Sequence, residues 1–247
     1  EGPYYKWDGN GWTGTPEPIV YFDENTDYFG AGEPSFVEKD GTLYIYISWL
    51  TGGSQFTRVY TADATAENWP ATMEYKGNAV ENRAGDSLDV KFVDDFGKFL
   101  GVCATDRMTA DSKLVFYQSD DGISFQLCSE ISEGTAAGAH NCGISGRPNG
   151  HIRLSDNVYV GYAYGVGEDN WAHWPTRLQK VILSLADNTQ FLTAVKAAAF
   201  EDQSSYHSEA SDYIAGVYAD DLRMTIADDF RKLSVLAVDG PYTPVSL

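Results

Sequence analysis

Two acidic residues stand at the head of two similar stretches of the chain. Glu33 precedes an alternating strand, an acidic turn closed by glycine, and a second strand with recurring aromatic residues; Asp89 precedes a stretch of the same form. Arg147 lies near the corresponding position of a third stretch. A partly desolvated carboxyl group can donate a proton, while a second carboxylate beside an arginine stays ionised. The three residues therefore predict an acid–base site, with Glu33 as the proton donor and Asp89 as the base or its orienting residue.

The same residues also have a purely structural interpretation. Each acid would then cap a strand or form an ion pair with Arg147 in a water-filled central tunnel. Acidic residues in clefts are candidates for catalysis and not proof of it. The two interpretations differ in whether two working carboxyl groups face one cleft.

The segments that hold these residues predict repeated β-hairpins. The stretches Gly32–Tyr46 and Leu88–Val102 have the same form. Antiparallel hairpins repeated at roughly 40 to 60 residues are typical of a β-propeller. We expect an all-β, five-bladed propeller that is closed by pairing between a strand at Ile19–Phe22 and C-terminal strands. Innermost propeller strands begin around a central channel, so the residues that head them face a shared cleft.

Composition agrees with one extracellular β domain. The 247 residues fit a single propeller over 1–247, and the start at Glu1 without Met leads us to expect a piece of a longer multidomain protein. The net charge of −19 repels phosphate backbones and anionic membranes, so we expect neither nucleic acid nor membrane as a partner. No apolar run approaches the ~20 residues that cross a bilayer. The acidic, Tyr- and Trp-rich composition, together with the family resemblance below, is the basis for expecting secretion.

The repeated pattern of acid, alternating strand, Asp-Gly turn and aromatic strand resembles the five-bladed propeller glycosidases of glycoside hydrolase family 43 and their relatives in family 32. The Glu1–Tyr4 segment, Glu-Gly-Pro-Tyr, adds to this resemblance. It implies a glycoside hydrolase that acts on plant or microbial polysaccharide. Those families place an Asp base, an orienting Asp and a Glu acid on successive blades, whereas this chain offers Glu33, Asp89 and Arg147 in that order.

The departure from the family order leaves two other functions open. One is a glycan-binding module that has the glycosidase-like fold without the catalytic set. The other is a protein-interaction propeller, which the aromatic and acidic composition allows. Glycoside hydrolysis needs two carboxyl groups on opposite sides of a sugar ring, so the number and separation of the channel carboxylates discriminate between the first two functions.

Two histidines flank the loop of the third stretch. His140 and His151 are candidates to line a sugar pocket or to bind a structural calcium ion, and a purely structural role is the plainer interpretation. The acidic pairs Asp94-Asp95 and Asp120-Asp121 fit hairpin-turn chemistry better than calcium binding, since the chain lacks an Asp-x-Asp-x-Asp-Gly loop. The sequence leaves the metal content unknown.

Three tryptophans are candidates to bind the sugar. Trp49, Trp171 and Trp174 follow inner or second strands at blade edges, where an indole face can stack on a sugar ring. Most tryptophans in a propeller pack between blades, so we expect one of the three to be exposed in a site. The expected ligand is a polysaccharide or oligosaccharide.

Overall fold

The computed structural model describes residues 3–7, 12–22, 30–51, 54–80, 87–165, 174–186 and 232–237. Within these ranges the chain is all-β, as predicted: it contains strands, turns and one short 3-10 helix at Trp69–Thr72. No helix in this part of the chain has the length and apolar character that a membrane span requires.

The strands form one two-stranded sheet and three larger sheets. Strands β1 (Pro3–Trp7) and β2 (Trp12–Pro18) pair with each other. The first large sheet is an antiparallel meander. Its members are β3 (Gly30–Lys39), β4 (Thr42–Thr51), β5 (Ser54–Asp63) and β6 (Glu74–Asn78). Asp40 and Gly41 join β3 to β4 with φ values of 52° and 79°, which is the positive-φ pair that a tight hairpin turn requires.

The other two large sheets repeat this plan. The second contains β7 (Asp89–Val93), β8 (Lys98–Thr105), β9 (Lys113–Ser119) and β10 (Gln126–Ile131). The third sheet starts with β11 (His140–Ile144). The next strand along the chain, the short β12 (His151–Ile152), belongs to the second sheet, where it pairs in parallel with β7. The remaining strands of the third sheet are β13 (Val158–Ala163), β14 (Thr176–Ala186) and β15 (Lys232–Ala237).

Apolar side chains fill the spaces between neighbouring sheets. Val37 and Tyr46 of the first sheet pack in one cluster with Val90 of the second. Leu100 of the second sheet packs in another cluster with Val160 of the third. Four-stranded meanders stacked face to face, with their first strands adjacent, are the arrangement of successive propeller blades. The described residues form three such sheets, so the count of five blades stays a prediction.

The predicted strand at Ile19–Phe22 is wrong. Strand β2 ends at Pro18, and residues 19–22, the last described before a gap at 23–29, belong to no strand. Val20 and Phe22 instead pack on the face of the first sheet that is opposite the second sheet, where the Phe22 and Trp49 rings are 4.8 Å apart. Burial of apolar side chains against a sheet does not require pairing with its edge.

One loop bonds to both β3 and β7, the first strands of the first and second large sheets. We call residues 145–157, between β11 and β13, the inner-edge loop. On β7, the Phe92 N–H donates to the Gly150 carbonyl at 2.9 Å; on β3, the Glu38 N–H donates to the Asn149 carbonyl at 2.9 Å. Both contacts lie toward the ends of their strands. The loop therefore closes the space between β3 and β7 at that end and leaves the strand starts uncovered by it.

Gly150 makes this close approach possible, and Gly150→Ala tests it. An added Cβ would lie 2.5 Å from the Phe36 carbonyl oxygen and 3.0 Å from the Val37 Cα, and the φ of +81° is itself unfavourable for alanine. We expect the free energy of unfolding to fall by roughly 3 kcal/mol. The matched control is Gly97→Ala, with φ of +63° and open space around the new Cβ, which should cost about 1 kcal/mol. Equal urea midpoints for the two variants would show that the loop does not dock as described.

Candidate functional site

The carboxylate of Asp89 is the meeting point of three first strands. The Ser35 hydroxyl of β3 donates to Oδ1 at 2.7 Å, and the Ile144 N–H of β11 donates to Oδ2 at 2.7 Å. The ammonium of Lys91, on the same strand as Asp89, pairs with Oδ1 at 2.5 Å. All three partners are donors, which matches an acceptor-only carboxylate.

Local sequence explains why these groups converge. Asp89 and Lys91 are two residues apart on β7, so their side chains leave the same side of the strand. Gly143 has no side chain, and a Cβ there would lie 3.3 Å from Asp89 Oδ2, so glycine allows β11 to come close. Ser35 also accepts the Val90 N–H at 2.9 Å. The side chains of Asp89 and Lys91 are 23% and 13% exposed, so the ion pair is largely shielded from water.

We call the cluster of Asp89, Lys91, Ser35 and Ile144 the Asp89 junction. Glu33 lies outside it, two residues before Ser35 on β3. The pairing of β3 with β4 is irregular between Gly32 and Ser35, so Glu33 and Pro34 form a bulge, and Glu33 has a φ of 49°. The residue level with Asp89 is therefore Ser35, and the expectation that Glu33 and Asp89 hold equivalent positions is corrected by two residues. Glu33 is exposed, which also corrects the expected desolvated seat. It projects from the start of β3, one bulge away from the Asp89 junction.

Arg147 belongs to a different cluster. It lies in the inner-edge loop, and its guanidinium forms two hydrogen bonds with Asp156, at 3.1 and 2.9 Å. These bonds lower the pKa of the Asp156 carboxyl. Arg147 and Asp156 line a small cavity of about 170 Å³ whose lining includes neither Glu33 nor Asp89. The cation at the Asp89 carboxylate is thus Lys91, and the substrate-binding role of Arg147 stays a prediction.

Sequence reasoning missed Lys91, although a signal was present. The alternation Asp89-Val90-Lys91 places an acid and a base on one side of a strand. Alignment of the repeats instead predicted Arg147 at this position, because the end of the first strand in the third stretch is not marked in the sequence. In the structure β11 ends at Ile144, so Arg147 falls in the loop after it.

Both candidate histidines have structural contacts. His140 is 1% exposed, with its Nδ1 2.9 Å from the Gly138 carbonyl oxygen and its ring 4.3 Å from the Trp174 ring. Burial this deep favours the structural role, which was the plainer interpretation of the sequence, over contact with a sugar. His151 connects two blades: Nδ1 lies 2.5 Å from Asp94 Oδ1 and Nε2 lies 2.5 Å from the Glu38 carbonyl oxygen. Both of its ring nitrogens already face oxygen atoms of the chain.

The structure describes two of the three candidate tryptophans, and neither is exposed. Trp49 is 1% exposed, and its ring stacks against the Arg58 guanidinium at 3.5 Å, so its predicted role as an exposed sugar platform is corrected. Trp174 is half-buried beside His140. Trp171 lies outside the described residues.

The two acidic turns have different partners: Asp121 is bonded within its own turn, and Asp94 is bonded to a distant loop. Asp121 accepts the N–H groups of Ile123 and Ser124, as the turn interpretation predicts. Asp94 instead holds the inner-edge loop, through His151 and the Arg153 guanidinium. Burial of Asp94 opposes its ionisation, but hydrogen bonds from Arg153 and His151, with their charges, outweigh burial and lower its pKa. Within the described ranges, no three His, Cys, Asp or Glu side chains gather in a way that could hold a metal ion.

Comparison with known proteins gives structural likenesses only. No protein-family model matches the chain, and no curated protein matches its sequence. The solved structures that it resembles include β-1,2-mannobiose phosphorylase from Listeria innocua, with 15% identity, a TM-score of 0.49, and coverage of 70% of this chain and 46% of that one. A thermostable family-43 glycoside hydrolase has 14% identity, a TM-score of 0.43, and coverage of 65% and 51%.

A third structure in the comparison is the endo-1,4-β-xylanase from Bacteroides thetaiotaomicron, with 10% identity, a TM-score of 0.44, and coverage of 72% of this chain and 60% of that one. This chain spans about half the length of the chains it matches. Likeness at this level does not assign an activity.

The junction predicts a large stability effect for Asp89→Asn. The amide removes the charge opposite a shielded Lys91 ammonium and turns one acceptor into a donor that faces other donors. We expect the free energy of unfolding to fall by about 2–4 kcal/mol, measured by urea denaturation. Asp120→Asn is the control, because Asp120 forms an exposed ion pair with Lys98 and should change little. Similar small effects for both variants would contradict the described junction.

The lowered pKa of Asp94 predicts an acid-dependent contribution to stability. A carboxyl whose pKa is depressed by folding stabilises the native state above its unfolded pKa, near 4, and loses this effect as the pH falls through the folded value. We expect the difference in urea midpoint between the native protein and Asp94→Asn to be largest near pH 6 and to shrink toward pH 3. A difference that stays constant over this interval would contradict the prediction.

Proposed function

We propose that the chain is a carbohydrate-active domain, built as a five-bladed propeller, that hydrolyses glycosidic bonds in plant or microbial polysaccharide. Glu33 is the proton donor, and Asp89 is the ionised base or the residue that orients it. The observation that carries the proposal is the contrast between the two carboxyl groups: Asp89 is held by three donors, and Glu33 is exposed one bulge further along the adjacent strand. Glycosidases need two carboxyl groups with unlike environments.

The exposure of the two carboxyl groups determines their proposed roles. Glu33 is accessible to a leaving-group oxygen, as a proton donor must be. The Asp89 carboxylate, which pairs with the Lys91 ammonium, would be the second of the two carboxyl groups that glycoside hydrolysis needs. The net charge of −19 disfavours polyanionic ligands and is compatible with a neutral polysaccharide.

The location and the neighbouring domains belong to the same proposal. A neutral polymeric substrate of this kind is found outside cells, which supports an extracellular site of action. In the same proposal, neighbouring domains of a longer protein contribute to the complete activity.

A glycan-binding module without hydrolytic activity is the second candidate. The observation that favours it is that the donors to Asp89 all come from the chain itself and tie three strands together. If this carboxylate is structural, Glu33 is the one working carboxyl group at the strand starts, and one carboxyl group does not complete the acid–base pair.

Glu33→Gln separates the two candidates, because it keeps the shape of the side chain and removes the proton. The substrates are soluble xylan, arabinan, mannan and levan, tested for release of reducing ends and for binding by affinity electrophoresis. We expect hydrolysis by the native protein, a loss of at least roughly 10²-fold in the variant, and retained binding. Glu133→Gln, at an exposed turn after β10, is the matched control and should leave both unchanged.

Three results would revise the proposal. Full activity in Glu33→Gln would show that Glu33 is not the acid. Binding without hydrolysis by the native protein would favour the glycan-binding module. Neither binding nor hydrolysis with any of the four polysaccharides would contradict the carbohydrate-active assignment.

A further inference from the structure

Strands β3 and β11 carry matching bulges on either side of Asp89. The pairing of β3 with β4 is irregular between Gly32 and Ser35, and the pairing of β11 with β13 is irregular between His140 and Gly143. Ser35 contacts Asp89 directly, and Gly143 makes room for the same carboxylate. Each bulge therefore stands immediately before the point at which its strand meets Asp89.

The first bulged residue has the same unusual backbone in both strands. Glu33 has a φ of 49° and Asn141 a φ of 48°, both in the left-handed region, and both residues are exposed. Bulges are frequent beside active sites, where they redirect a side chain. Left-handed backbone at a residue other than glycine is unfavourable, and such conformations concentrate at functional sites. Asn141 is thus the counterpart of Glu33 across Asp89, a position that comparison of the repeats had given to Arg147.

We propose that Asn141 is a ligand-binding residue that hydrogen-bonds hydroxyl groups of the same carbohydrate that reaches Glu33. This inference rests on the proposed carbohydrate function and adds a specific contact to it. A carboxamide both donates and accepts hydrogen bonds, as a sugar hydroxyl does, so one amide can engage a pair of neighbouring hydroxyls. The preceding His140 is buried against Gly138 and Trp174, which anchors the strand beneath the exposed amide.

A simpler explanation is that asparagine is present only because it tolerates the left-handed region better than most residues. Asn141→Gly distinguishes the two explanations, since glycine adopts this backbone without strain and lacks the amide. Asp106→Gly is the matched control, because Asp106 is also exposed with a φ of 51° but lies in the turn after β8. Both variants are made in the Glu33→Gln background, so that the polysaccharide is not consumed during the measurement.

We expect Asn141→Gly to unfold at a urea concentration equal to or above that of its parent, and to bind the xylan, arabinan, mannan or levan that the parent binds at least 10-fold more weakly. Asp106→Gly should bind as its parent does. Unchanged affinity in Asn141→Gly would overturn this inference while leaving the carbohydrate function in place. A lower unfolding midpoint accompanied by weaker binding would also overturn it, because the residue would then be structural. Absence of binding by the native protein would overturn the proposed function and this inference together.

Discussion

The charge on Asp89 is the constraint on which the rest of the site depends. One carboxylate accepts hydrogen bonds from β3 and β11 and pairs with Lys91 on its own strand, so three sheets share a single anchoring group. Apolar packing between the sheets is non-directional and does not by itself set their relative height. Hydrogen bonds to a shielded carboxylate are directional and costly to leave unmade, so they align the three first strands.

With the first strands aligned in this way, their two ends have different surroundings. Toward the ends of β3 and β7, the inner-edge loop fills the gap, with Gly150 against the backbone of Val37 and His151 between Asp94 and Glu38. At the starts of β3 and β11, the bulges direct Glu33 and Asn141 to exposed positions. One end is therefore occupied by the chain itself, and the other presents the exposed side chains of Glu33 and Asn141.

Much of the fold could be predicted from local patterns. The Asp40-Gly41 pair, flanked by alternating strands, predicts a hairpin, and the structure has it. The similar stretch Leu88–Val102 also forms a hairpin, in which β7 pairs with β8. These features depend on two-residue periodicity and turn chemistry, which lie within a few residues of each other in the sequence.

The site was less predictable because it depends on register and on distant partners. Ser35 and not Glu33 is level with Asp89, because two residues connect β3 to β4 whereas four connect β7 to β8. Trp49 is covered by Phe22 and Arg58, contacts that only tertiary packing decides.

The most direct test of the account is a crystal structure of Glu33→Gln with a bound oligosaccharide from the polysaccharide that the native protein binds. The account predicts one sugar chain at the starts of β3 and β11, within hydrogen-bonding distance of residue 33 and of the Asn141 amide, with Asp89 still joined to Ser35 and Ile144. An oligosaccharide bound only in the cavity beside Arg147, or on an outer sheet face, would contradict it.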